Sequence, residues 1–265
     1  MSLLREFVTR LARENAVLVC VASAQGSVPR GPGAWMAVFE QVVINTIGGG
    51  QLEYQALNQA RACLRGQADE SLLRYALGPA LGQCCGGVVA LQYERVGDAD
   101  VARLLQRLDR VRQAVALFGG GHVGKALVQV LARLPFAVTW VDSRDQIFPD
   151  DLPTNVHCEH SDPVQSAVGD LVPGSQVLIM SFSHAEDLDV VAACLQRQRA
   201  RGDLPYIGLI GSKTKWASFR RRLRMRGFTE QELAHVTCPI GVPGIKGKEP
   251  EVIAVAVAAQ LLQAL

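Results

Sequence analysis

Residues 114–142 read AVALFGGGHVGKALVQVLARLPFAVTWVD. The apolar run Ala114 to Phe118 leads directly into Gly119-Gly120-Gly121-His122-Val123-Gly124, and the residues after it place apolar side chains at helical spacing. A second strand-like run, Val138 to Val141, ends in Asp142. Strand, glycine turn, helix, strand and acid in that order predict a Rossmann-type domain. The first glycine permits a tight turn, the second lets backbone approach a phosphate, and the third lets helix pack on strand, while the helix N-terminus favours an anion. Asp142, 18 residues after Gly124, stands where an acid can reach a ribose hydroxyl, with Arg144 beside it. Gly119, Gly121, His122, Gly124 and Asp142 are therefore candidate cofactor-binding positions, although His122 by itself reads as the residue that starts the helix.

Downstream the alternation continues. Apolar runs at Val177 to Met180 and Ile207 to Ile210 are separated by helical stretches, the pattern of a parallel sheet covered on both faces. Upstream the pattern differs. A helix carrying Leu3, Leu4, Phe7 and Leu11 precedes a strand at Ala16 to Ala22. A Gly-, Pro- and Ser-rich stretch from Ser23 to Gly33 then leads to short strands at Trp35 to Phe39 and Val42 to Ile44. The turn Gly48-Gly49-Gly50 feeds a helix from Gln51 to about Leu64, and an alternating strand runs from Val88 to Tyr93. The polar, Arg-rich helix from Asp98 to Arg112 is the expected linker. The predicted fold is α/β: a smaller N-terminal α+β domain over residues 1–110 and a Rossmann-type parallel-sheet domain over residues 111–265.

Composition narrows the function. At 49% hydrophobic residues the chain has ample material for a core. Lys and Arg total 27 against 25 acidic residues, so no global field points to nucleic acid or an anionic membrane, and neither is expected as a partner. No apolar run approaches the roughly 20 residues that span a bilayer, and charges at Arg5 and Glu6 fall where a signal peptide needs apolar residues. The expected location is cytoplasmic. Seven scattered cysteines fit reduced thiols better than a disulfide framework.

Further candidates lie in loops. Gly78 to Gly87 reads GPALGQCCGG, and its adjacent Cys84 and Cys85 are placed to present thiols to a ligand; the spacing lacks the paired motifs of a structural zinc site. Arg30, with Gly49 and Gly50, could wrap a ligand with one cation and backbone donors. Ser212 and Lys213 open a helix that also carries Lys215, Arg220, Arg221, Arg222, Arg224 and Arg226, which is either a second anion site or a solvated basic face. Lys246 and Lys248 approach the final helix through a glycine-rich segment, and His184 follows a strand of the parallel sheet.

Together GSVPRGPGAWM (26–36), TIGGGQLE (46–53), LGQCCGG (81–87), FGGGHVGKAL (118–127), YIGLIGSKTKWASFRRRL (206–223) and CPIGVPGIKGKEPEVIAVAVAAQLL (238–262) closely resemble the xanthine dehydrogenase accessory factor family, XdhC, over nearly the whole chain. The resemblance implies a chaperone rather than an enzyme, one that binds the molybdenum cofactor (Mo-molybdopterin) and protects it. It also implies support for sulfuration by a cysteine desulfurase, and insertion of the cofactor into apo xanthine dehydrogenase or a related molybdenum hydroxylase. The terminal phosphate of molybdopterin suits a glycine-loop helix N-terminus, and thiols at Cys84 and Cys85 could meet the molybdenum end. Family members often carry Thr-His-x-His where this chain has Ser181-Phe182-Ser183-His184, which leaves His184 without its pair. A homodimer is expected. Two other readings stay open: an NAD(P)-dependent oxidoreductase, resting on the glycine loop and Asp142, and a thiol-based sulfur-relay protein using Cys84 and Cys85.

Overall fold

The computed structural model describes residues 3–69, 71–78, 86–109 and 112–265. The chain forms two compact units, Met1–Arg110 and Val111–Leu265.

Among the described residues, the first unit is built on a five-stranded antiparallel sheet of β1 (Ala16–Gln25), β2 (Trp35–Val38), β3 (Val43–Asn45), β4 (Leu72–Ala76) and β5 (Val88–Val96), in the order β3-β2-β1-β5-β4. Side chains alternate across a strand, so β1 feeds two cores. Val17, Val19 and Val21 pack with Leu52, Ala56, Ala60 and Cys63 of helix α2 (Gly50–Leu64). Ala16 and Leu18 pack on the other face with Phe7 and Leu11 of α1 (Leu3–Leu11) and Leu104 of α3 (Val101–Leu108). The sequence marked Asp98 to Arg112 as a linker, but α3 belongs to the first unit. Leu104 is fully buried there, and Arg103 and Arg107 both pair with Glu94 of β5.

The second unit is a six-stranded, all-parallel sheet among the described residues. Its strands are β6 (Gln113–Phe118), β7 (Phe136–Asp142), β8 (Val156–His160), β9 (Gln176–Ile179), β10 (Tyr206–Leu209) and β11 (Val236–Thr237), ordered β11-β10-β9-β6-β7-β8. Strands buried on both faces explain why the runs are continuously apolar. One face is covered by α4 (His122–Leu131) and α8 (Pro250–Gln263), the other by α5 (His184–Arg201) and α6 (Lys213–Met225). The strand order reverses between β6 and β9. In an open α/β sheet that switch point, at the carboxyl ends of the strands, is where ligands bind.

Candidate functional site

The glycine loop sits at this switch point and is fixed by close backbone approaches. A Cβ on Gly119 would lie 2.0 Å from the Met180 carbonyl oxygen, and one on Gly124 would lie 2.1 Å from the Gly119 carbonyl oxygen. That same carbonyl accepts a 2.9 Å hydrogen bond from the indole Nε1 of buried Trp140. Gly121 differs: φ is −71°, which any residue adopts, and nothing stands within 4 Å of where its Cβ would be. Gly121 caps α4, and the exposed His122 is its first residue. The amides of a first helical turn have no intrahelical acceptor, so this end of the loop retains donors for an anion.

Asp142 ends β7 with only 1% of its surface exposed. Its Oδ1 accepts from the backbone N–H and the Nε of Arg144, both at 2.9 Å. Its Oδ2 accepts from Nη2 of Arg144 at 2.9 Å and from the backbone N–H of Gly120 at 2.6 Å. Burial acts to raise this carboxyl's pKa, but the hydrogen bonds from Arg144 and Gly120 outweigh it and hold the group below the ordinary carboxylate range. The guanidinium of Arg144 lies 4.7 Å from the ring centroid of Phe182, in the loop after β9.

A buried ion pair joins the starts of α5 and α6, Asp187 with Lys215, and ties them to the chain just after β9 and β10. Asp187 accepts from the backbone N–H and the Oγ of Ser181 through Oδ1, at 2.8 and 2.6 Å, and from Nζ of Lys215 through Oδ2 at 2.6 Å. Lys215 also donates to the Ile210 carbonyl at 2.8 Å. Its backbone N–H donates to the Oγ of Ser212, the cap of α6. Burial pushes the half-buried Cys238 thiol up, against the opposing pull of the Lys215 ammonium. Lys213 projects from the exposed first turn of α6, and the ring of His184 stands edge-on to Phe219 at 6.3 Å. Sequence reasoning placed Lys215 in a basic run and passed over Asp187. The signal for the helix start was present in Ser183-x-x-Glu186, where the Ser183 Oγ accepts from the Glu186 N–H at 3.2 Å. Among the described residues no three His, Cys, Asp or Glu side chains gather as a metal site would require.

In the first unit three of the singled-out segments meet. A Cβ on Gly48 would stand 2.3 Å from Pro29 Cβ, and one on Gly87 would stand 2.5 Å from the Ser27 carbonyl oxygen. The segment Gly26 to Arg30 is thus packed against both the triple-glycine turn and the residue that leads into β5, with the Arg30 side chain exposed. The Gly49 amide is already engaged within the turn. Glu53, in the first turn of α2, turns back on the turn. Its Oε2 accepts from the N–H groups of Ile47 and Gly49 at 3.1 and 3.0 Å, and from the Thr46 hydroxyl. A glutamate just inside a helix that follows a glycine turn is the sequence signal for such a contact. Cys84 and Cys85 lie outside the described residues.

The reversed parallel strand order and the glycine loop at the switch point define the second unit as a Rossmann-type domain. The chain belongs to the XdhC family: residues 115–261 match the XdhC Rossmann domain and residues 10–76 match the XdhC and CoxI family. It is 26% identical over 250 residues to the uncharacterized protein YqeB of Escherichia coli (strain K12), an alignment covering 92% of this chain and 42% of that protein. The chain thus spans less than half the length of that curated relative. Its fold is similar to the crystal structure of a xanthine dehydrogenase from Bacillus halodurans, with a TM-score of 0.79 at 20% identity, covering 100% of this chain and 96% of that one. No described helix is long and apolar enough to cross a membrane.

Proposed function

We propose that this protein is an accessory factor in the maturation of xanthine dehydrogenase or a related molybdenum hydroxylase, binding Mo-molybdopterin, supporting its sulfuration and handing it to the apo enzyme. The observation that carries this reading is family membership over both units, at residues 10–76 and 115–261. The second unit offers a chemical fit for a phosphate-bearing cofactor. Gly121 has a backbone that any residue could adopt and open space where a side chain would be, which leaves a surface that a phosphate oxygen can reach. Gly119, Gly124 and Trp140 hold the loop rigid, and Gly121 and His122 would offer the N–H groups of the helix start. Ser212 and Lys213 supply a second helix start with a cation, and Arg30, Cys84 and Cys85 are the proposed ligand-facing residues of the first unit. The molybdenum centre supplies hydroxylation chemistry only once it is in the client enzyme; this chain's part is to hold the cofactor, exclude water and release it. A cysteine desulfurase as sulfur donor, a homodimeric assembly and a cytoplasmic location belong to the same proposal.

The test is molybdenum and pterin content of the protein purified without oxygen from cells supplied with molybdate, beside a Cys84→Ala, Cys85→Ala double variant. Near-stoichiometric molybdenum with fluorescent oxidised pterin in the wild type, and a several-fold drop in the variant, are expected. A protein that carries neither molybdenum nor pterin under these conditions overturns the proposal. A variant that retains both removes the thiols from it.

A further inference from the structure

The carboxylate at the end of the second strand of a Rossmann sheet ordinarily reads the adenosine ribose of a dinucleotide by accepting its hydroxyl hydrogens. An ionised carboxylate has about four lone-pair sites on its two oxygens. On Asp142 all four are taken by the chain itself: two N–H donors of Arg144 on Oδ1, and Arg144 Nη2 with the Gly120 N–H on Oδ2. With 1% of Asp142 exposed and the one-third-exposed Arg144 paired to both its oxygens, a ligand reaches the carboxylate only by displacing donors it already holds. The Arg144 fork is planar and bidentate, the strongest form of carboxylate pairing, so a ribose diol would have to break two charge-assisted bonds to replace them with neutral ones. Phe182, an exposed aromatic in the loop after β9, lies at cation–π distance from the same guanidinium and holds it in place. The Gly120 amide, a backbone donor of the loop, is likewise turned to Asp142 and away from a phosphate.

We infer that Arg144 is a specificity-determining residue: clamped on Asp142 and held by Phe182, it closes the ribose-reading position of the Rossmann unit, so that the unit rejects NAD(H) and NADP(H) while the Gly121 end of the loop stays open to a phosphate ester of another kind. The same arginine would elsewhere be available to a ribose 2′-phosphate, but here Nε and Nη2 are committed to Asp142, and the paired carboxylate would stand against a second anion. The inference rests on the geometry around Asp142 and holds whether or not the protein carries a molybdenum cofactor.

The experiment titrates NADH and NADPH into the full chain, followed by nicotinamide fluorescence and calorimetry, for the wild type, Arg144→Ala and Phe182→Ala. The wild type should show no saturable binding of either nucleotide up to about 1 mM, the weak end of measurable affinity. Arg144→Ala should bind NADH at least tenfold more tightly, roughly one decade of affinity or more. Phe182→Ala, which loosens the clamp without touching Asp142, should show a smaller gain and gives the readout if Arg144→Ala does not fold. Saturable micromolar binding of NADH or NADPH by the wild type overturns the inference, as does a natively melting Arg144→Ala variant with no gain.

Discussion

Two glycine turns at helix starts, Gly48–Gly50 ahead of α2 and Gly119–Gly124 ahead of α4, face the same electrostatic demand and meet it differently. Each presents backbone N–H groups at the positive end of a helix, and in each a carboxylate of the same unit has moved in. In the first unit Glu53 comes from the helix itself and takes the amides of Ile47 and Gly49 together with the Thr46 hydroxyl, while the Gly48 amide donates to Thr46. In the second, Asp142 comes from the neighbouring strand and takes only the Gly120 amide, leaving the Gly121 end open. Glycine density therefore does not identify a ligand site. What matters is which amides remain after the chain's own carboxylates have been served.

The contrast can be broken hardest at the close approaches. Gly124→Ala places a methyl 2.1 Å from a carbonyl oxygen that the buried Trp140 indole already holds. Overpacking of that kind costs on the order of 3 kcal/mol. Urea unfolding followed by tryptophan fluorescence should show that loss in the second unit's transition. A variant within about 0.5 kcal/mol of wild type, the range of an unremarkable surface change, would mean the loop is not locked as described.

Next in size is Glu53→Ala, which strands the Ile47 and Gly49 amides and the Thr46 hydroxyl together. Leaving such groups without their charged acceptor costs about 1–3 kcal/mol. The expected result is a lower midpoint for the first unit with the second unit's transition unmoved; the partial recovery by Glu53→Gln, which keeps an acceptor oxygen, separates lost hydrogen bonds from lost packing. If instead Glu53→Ala is neutral in stability and alters ligand content, the first turn is a ligand cradle after all.

The sequence exposed the parts of this picture that depend on periodicity. The runs Ala114 to Phe118, Val138 to Val141, Val177 to Met180 and Ile207 to Ile210 are strands because a doubly covered parallel sheet requires continuous apolar segments, and they became β6, β7, β9 and β10. Asp142 was legible by its place at a strand end. Its saturation was not, because the conformation of Arg144 depends on a contact with Phe182, 38 residues further along the sequence and on another strand's loop. Lys215 hid among the basic residues of α6, since composition alone cannot tell an ammonium buried on Asp187 from the exposed Arg220 and Arg224 paired with Glu230. The strand β4 went unread because Leu72, Arg74 and Ala76 face solvent on an edge and break the apolar alternation. The Asp98 to Arg112 helix looked like a linker for a similar reason: one fully buried residue, Leu104, anchors it, and a single anchor is easily lost in an Arg-rich pattern.

The smallest stability effect carries the sharpest functional distinction. Gly121→Ala meets no atom within 4 Å and a φ of −71°, so folding should change by less than about 1 kcal/mol, the intrinsic difference between Gly and Ala. A helix cap that has no structural need of glycine is informative, because Asp, Ser or Asn would cap α4 better. On the proposed function, the absence of a side chain there would serve a phosphate oxygen drawn to the amides of the first turn. Molybdenum and pterin retention in Gly121→Ala should fall by tenfold or more while the melting profile stays that of the wild type. Gly124→Ala would lose both together. Retention unchanged in a Gly121→Ala protein would show that the open end of the loop is open to solvent alone, and the cofactor would have to be sought in the first unit, around Arg30 and the Cys84–Cys85 segment.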